Sequence, residues 1–207
     1  MRKTSDTKHV RPPKQERSRQ KFDFIVEAAT RILSMSGYAA LTTNEVARVA
    51  GVSIGSVYEY FRNKDEIVAV IVDRHLSAAE NSVASFHFQV AQEWSLKRII
   101  NSLVSGFIAL HKDDPRLHRV ISSEVPLTKQ QIRRRQNLEE QLVHGVTQLL
   151  SGRVQNPALQ GTLVVQTADS LIHKWLLQMD GAPLQAEVMQ LELEKMLLNY
   201  LKSGVRT

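Results

Sequence analysis

A chain of 207 residues can bury a sizeable core without cross-links, and the absence of cysteine excludes disulfides, thiolate metal sites and cysteine nucleophiles together. The formal charge of +6 is unevenly placed: residues 1–64 hold 12 Lys+Arg against 6 Asp+Glu, whereas residues 65–207 hold 15 of each. The whole excess therefore sits in the N-terminal third, the balance that attraction to nucleic-acid phosphate requires.

The opening stretch MRKTSDTKHVRPPKQERSRQ is basic but lacks the apolar segment of a secretory signal. No apolar run nears the ~18 residues of a membrane span, so the chain reads as soluble and cytoplasmic, with no membrane partner. Residues 1–16, with Pro12-Pro13, read either as a plain disordered tail or as a basic arm. In the second case Arg11 and Lys14, with Arg17 and Arg19 just beyond, reach phosphates or a minor groove.

From Arg17 to Ser36 the apolar residues Phe22, Ile25, Ala29, Ile32 and Leu33 recur at three- and four-residue spacing, which predicts a helix that Gly37 stops. Thr42 and Glu45 form a capping box for the next helix, with Val46, Ala47 and Ala50 on one side. Gly51 reverses the chain, Val52 packs in the corner and Ser53 caps a helix from Ile54 to Tyr60. On that helix Val57 and, four on, Phe61 face inward, leaving Ile54, Gly55, Ser56, Tyr58 and Tyr60 outward. Such a face is small, uncharged and hydrogen-bonding, which suits a helix entering a DNA major groove. Asn63 and Glu66 make a second capping box, and Lys64 at that helix entrance is placed to clamp a phosphate. The three-helix unit has a predicted core of Phe22, Ile25, Ile32, Leu41, Val46, Val52, Val57 and Phe61.

The segment from Thr42 to Lys64 resembles the DNA-binding signature of the tetracycline-repressor (TetR) family, AGVS-x-G-x-x-Y-x-YF-x-x-K. It is matched by Ala50 to Ser53, Gly55, Tyr58, Tyr60, Phe61 and Lys64, about a quarter of the chain. Two departures stand out. Ile54 can touch a thymine methyl but cannot hydrogen-bond guanine, and Glu59 must point away from phosphates or accept from a cytosine amino group.

Beyond Lys64 the pattern is helical throughout. A long helix runs through Ile67, Val70, Ile71, Arg74 and Ala78, as far as Val90, and reads as a lever shared by two domains. Leu96, Ile99, Ile100, Leu103, Phe107 and Leu110 mark another, and Asp114-Pro115 opens a short segment. A helix from Lys129 to Leu150 is closed by Gly152, and its run from Arg133 to Arg135 reads as a solvated face. Asn156-Pro157 opens a helix ending near Met179, and Pro183 opens one ending near Lys202. In the last, apolar residues cover more than one stripe, which implies burial on two sides. One side suits a second copy of the chain, although a thick monomer core gives a similar pattern.

No catalytic chemistry is found. Gly51 to Ser56 lacks the spacing of a phosphate loop, the seven histidines include no H-E-x-x-H, and Asp113-Asp114 reads as a helix cap before Pro115. The chain is read as all-α and non-enzymatic, with no cofactor and no metal. Its expected parts are a basic arm at 1–16, a helix-turn-helix domain at 17–64 and a helical regulatory and dimerisation domain at 65–207. The resemblance implies a transcriptional regulator, a repressor, that binds a palindromic double-stranded operator as a homodimer through its last two helices. Carried over position by position, the DNA contacts are Thr43, Asn44, Ser53, Ile54, Gly55, Ser56, Tyr58, Tyr60 and Lys64. Of these Thr43, Tyr58, Tyr60 and Lys64 grip phosphates, while Asn44, Ile54, Gly55 and Ser56 meet base edges. The family also implies a small-molecule effector among the C-terminal helices. Phe107, His111, Trp175 and Met179 are candidates to line its pocket, plain core packing being the commoner role of such residues. The alternative keeps the DNA-binding domain and gives the C-terminal region a protein partner or a part in DNA organisation.

Overall fold

The computed structural model describes the backbone of residues 16–86, 91–112, 114–177 and 185–203, and the side chains of 18–86, 91–110, 114–175 and 185–203. The arm at 1–15 thus lies outside the described residues, as do the side chain of His111 and the whole of Met179. Among the described residues there are nine α-helices and no strand: α1 Glu16–Ala40, α2 Thr43–Ala50, α3 Ile54–Tyr60, α4 Lys64–Ser85, α5 Leu96–Lys112, α6 Pro115–Ser123, α7 Lys129–Leu150, α8 Pro157–Leu177 and α9 Ala186–Ser203. No helix among them is long and apolar enough to cross a membrane.

Gly37 interrupts α1 as expected: its backbone is non-helical, and a short helical stretch beyond this kink continues to Ala40. At φ 77° and ψ 175° its backbone occupies a region essentially reserved for glycine. The kink is tied by Glu124, whose Oε2 accepts the Tyr38 backbone N–H at 2.9 Å.

By contacts the chain divides into Met1–Ser77 with Arg116–Ile132, and Ala78–Pro115 with Arg133–Thr207. The division therefore does not fall at Lys64. The first half of α4, all but the opening residue of α6, and the entry to α7 belong with the N-terminal helices. Their apolar residues explain why: Ile67, Val68, Ile71, Val120 and Ile121 join Phe22, Ile25, Leu33, Leu41, Val46, Val57 and Phe61 in one buried cluster, while Val52 packs only at its edge. Gln131 fixes the start of α7 from within this unit. Its amide oxygen accepts the Thr128 N–H at 3.0 Å, and its Nε2 donates to Ala69 O and Asp73 Oδ1, both at 3.1 Å.

In the second unit α5, α7, α8 and α9 share a core that includes Val104, Phe107, Val146, Val164, Ile172, Trp175, Leu193 and Leu201. Helices α7 and α8 come close at Gly161, where an added Cβ would lie 2.7 Å from Thr147 Oγ1 and 3.2 Å from Thr147 backbone. Glu194 is buried, and its Oε1 accepts from Asn101 Nδ2 at 2.9 Å and Gln190 Nε2 at 2.8 Å. These bonds meet the need of a carboxylate taken from water. Leu159, Leu163, Val188, Leu191 and Met196 remain exposed on α8 and α9.

Candidate nucleic-acid interface and cavity

The turn that presents α3 is built from local bonds. Thr42 Oγ1 accepts the Glu45 N–H at 3.1 Å, which starts α2. The Glu45 carboxylate does not return to the cap. It pairs instead with Arg48, at 2.9 Å from Nε and 2.6 Å from Nη2, and that guanidinium holds the carboxyl below its ordinary range. Gly51 ends α2 in the left-handed conformation, φ 68° and ψ 29°, with Val52 N–H donating to Ala47 O at 3.0 Å. A side chain there would strain the reversal that points α3 outward. Ser53 then caps α3, its Oγ accepting the Ser56 N–H at 3.1 Å and lying 3.0 Å from Ser56 Oγ.

Val57 is fully buried beneath α3, whereas Ser53, Ile54, Gly55, Tyr58 and Glu59 are exposed and Ser56 is half-buried. On α2 Asn44 is exposed and Thr43 half-buried. The Tyr58 hydroxyl lies 3.3 Å from Thr43 Oγ1, so these two side chains stand together at the α2–α3 junction.

Tyr60 departs from the sequence expectation: it faces inward and is only 9% exposed. Its ring meets Phe22 edge-on, with centroids 5.9 Å apart and planes at 82°, and its hydroxyl lies 2.8 Å from Ser18 Oγ. The spacing carries the reason, since Tyr60 is three residues from Val57 and shares the inner face. The hydroxyl finds a partner at the rim of the core, as a buried phenol requires.

Lys64 is half-buried and already engaged. Its Nζ donates to Tyr38 O at 3.0 Å and sits 4.2 Å over the Tyr38 ring, while the Tyr38 hydroxyl donates to Asp65 Oδ1 at 2.5 Å. An ammonium has three donors, so one bond to a carbonyl fixes its position and leaves others to direct at an anion. Asn63 caps α4 as expected, accepting the Glu66 N–H at 3.0 Å, but the Glu66 carboxylate takes the Arg62 N–H at 2.7 Å. Tyr38 and Glu124 are positioning residues that sequence reasoning missed. Nothing local marks them, because Glu124 lies 86 residues from the amide it holds.

The second unit contains a cavity. Its wall is Ser82 and Val83 of α4, Phe86, then Ile99, Ser102, Leu103, Gly106, Phe107 and Leu110 of α5, with Leu142, Val146 and Leu149 of α7. About 540 Å³ is free of atoms there, part of it continuous with solvent. Phe107 lines it, whereas Trp175 is 8% exposed in the helical core and is not on the wall. Among the described residues no cluster of three or more His, Cys, Asp or Glu could hold a metal.

Against known sequences, residues 25–71 match the family described as "Bacterial regulatory proteins, tetR family", and residues 95–201 match "Tetracyclin repressor-like, C-terminal domain". The probable HTH-type transcriptional regulator ArpR of Pseudomonas putida is 28% identical over 181 residues, covering 79% of this chain and 84% of that protein. A putative TetR-family regulator of Mesorhizobium loti superposes with a TM-score of 0.67 at 19% identity, over 92% of this chain and all of that one. NalD of Pseudomonas aeruginosa, the secondary repressor of the MexAB-OprM multidrug efflux pump, gives 0.66 at 16% identity over 93% of this chain and 99% of its own. These two solved structures share the fold. With its helix-turn-helix and more than half of its length matched to one family, the chain belongs to the tetracycline-repressor family of DNA-binding transcriptional regulators.

Proposed function

We propose that the protein is a cytoplasmic, non-enzymatic repressor that binds a palindromic operator as a homodimer and lets go when a small molecule occupies its C-terminal domain. The observation that carries this reading is the exposed side of α3. Ile54, Gly55 and Tyr58 make it small and, apart from Glu59 at its edge, uncharged, on the part of the chain that holds the entire basic excess. In the groove Asn44, Ile54, Gly55 and Ser56 meet base edges and Ser53 stands at the helix entrance. Thr43, Tyr58 and Lys64 grip phosphate. Tyr60 passes from contact to support, setting α3 on Phe22.

The homodimer is supported by the exposed leucines of α8 and α9, because large apolar side chains left in water on two helices suit an association face. Release by an effector is supported by the cavity, since a mostly apolar pocket with a few hydroxyls is the usual form of a small-molecule site. Mechanistically the effector need only bind better to a conformation whose two recognition helices no longer match the half-sites. A repressing role is proposed by likeness to NalD, which bears that description. The protein-partner alternative draws on the same exposed leucines but leaves the cavity without a role.

Selection of duplexes from a random pool by the full-length protein tests this reading. The expected result is one enriched inverted repeat with half-site centres about one helical turn, ~10 base pairs, or a multiple of it apart. No enrichment, or a single unrepeated site, would overturn it.

A further inference from the structure

Gly106 lies in the middle of α5, where glycine weakens a helix relative to alanine. Its backbone gives no reason for glycine, since the positive-φ glycines of the described residues are Gly37, Gly51 and Gly152. Packing gives none either: a Cβ built on Gly106 meets nothing within 4 Å, in contrast to Gly161 beside Thr147. What Gly106 does adjoin is the cavity. A missing side chain there keeps space open at the cost of helix stability.

The rest of the wall limits what can fill that space. Among the described residues it presents aliphatic and phenyl groups, with the hydroxyls of Ser82 and Ser102 as the only polar side chains and no ionisable group. An ion entering would shed water without a compensating partner, which is strongly disfavoured, whereas a neutral apolar molecule would gain by the transfer.

We propose that this cavity binds an uncharged, mainly apolar small molecule against α5, and that Gly106 sets how large that molecule can be. The inference rests on the effector-binding reading above and names the chemistry of the effector. The wall accepts ring or chain carbons over most of its area and one or two hydrogen bonds at Ser82 and Ser102. It rejects carboxylates, sulfonates and ammonium groups.

Two fluorescent probes with the same carbon skeleton test it on the full-length protein: neutral N-phenyl-1-naphthylamine, and 8-anilino-1-naphthalenesulfonate, which adds one negative charge. The expected result is saturable micromolar binding of the neutral probe and binding of the sulfonate weaker by about tenfold or more. Gly106→Leu should weaken the neutral probe at least tenfold, with cooperative thermal unfolding retained. Gly106→Ala, which a helix favours, should weaken it severalfold and guards against a Leu variant that fails to fold. Equal affinity for both probes, no binding of the neutral one, or binding indifferent to both Gly106 variants would overturn the proposal. Should the neutral probe bind as described yet leave the protein on its selected duplex, the ligand class stands and the release reading fails.

Discussion

Phe61→Ala is expected to remove about 3–5 kcal/mol of stability from the N-terminal unit, the range for deleting a fully buried phenyl ring. Phe61 is 1% exposed, stacked on Phe22 with centroids 5.0 Å apart and planes at 30°, and 6.5 Å from the Tyr60 ring. It also terminates α3, its N–H donating to Val57 O at 3.0 Å. Alanine leaves a void at the point where α1, α3 and α4 share one cluster, and α3 loses the anchor that fixes its outward side. Since a domain's whole stability is of order 5–15 kcal/mol, a loss of this size is a large share of it. Urea unfolding followed by far-ultraviolet circular dichroism should show an early N-terminal transition, and operator binding should fall with it. A change below about 1 kcal/mol would mean that Phe61 is not the keystone of this cluster.

The second large effect belongs to Gly37→Ala, expected to cost about 2–3 kcal/mol because a side chain is forced into φ 77° and ψ 175°. An added Cβ would also lie 2.7 Å from Glu124 Oε2. That contact is the lesser part. The carboxylate ends a flexible side chain and can swing away, giving up its bond to the Tyr38 N–H, whereas the backbone of Gly37 cannot relax without unkinking α1. The two causes separate in Glu124→Ala, which loses the bond but not the glycine geometry and should cost only about 1 kcal/mol. For a chain of this size the melting temperature of Gly37→Ala should drop by roughly 5–10 °C. A drop equal to that of Glu124→Ala would show that the bond, and not the backbone, governs the kink. Tyr38 also bears the carbonyl that Lys64 holds, so both variants disturb the proposed phosphate grip.

What could be read from the chain was whatever neighbouring residues decide. Thr42, Gly51 and Ser53 act within four residues of themselves, and α3 runs from Ile54 to Tyr60 as their positions imply. Val57 was assignable inward for the same reason. Tyr60 was misjudged because its hydroxyl suggested a surface role, although its three-residue step from Val57 already placed it inside; the ring's burial outweighs one phenol that Ser18 can satisfy.

Long-range choices left less trace. Val120 and Ile121 are ordinary apolar residues on a short helix, and nothing nearby says that their partners lie in α1 and α4. The division by contacts accordingly differs from a boundary at Lys64. The cavity was harder still, because an empty space has no periodicity. Aromatic and Met residues were the natural candidates, yet of the four only Phe107 is found on its wall, with Trp175 in the core and the other two beyond the described side chains. Gly106 and Ser102 carried no signal until the space beside them was visible.

Gly55→Ala tests the account most directly, because in the free protein the added methyl costs nothing: a Cβ at Gly55 meets only Ser53 Oγ, at 3.8 Å. The variant should unfold at the same temperature as the native chain or slightly higher, as glycine-to-alanine changes in helices do. Its affinity for the selected duplex should nevertheless fall by about tenfold or more, some 1.4 kcal/mol, because the methyl stands between α3 and the bases. Native affinity in a Gly55→Ala protein of unchanged stability would contradict the placing of α3 in the groove.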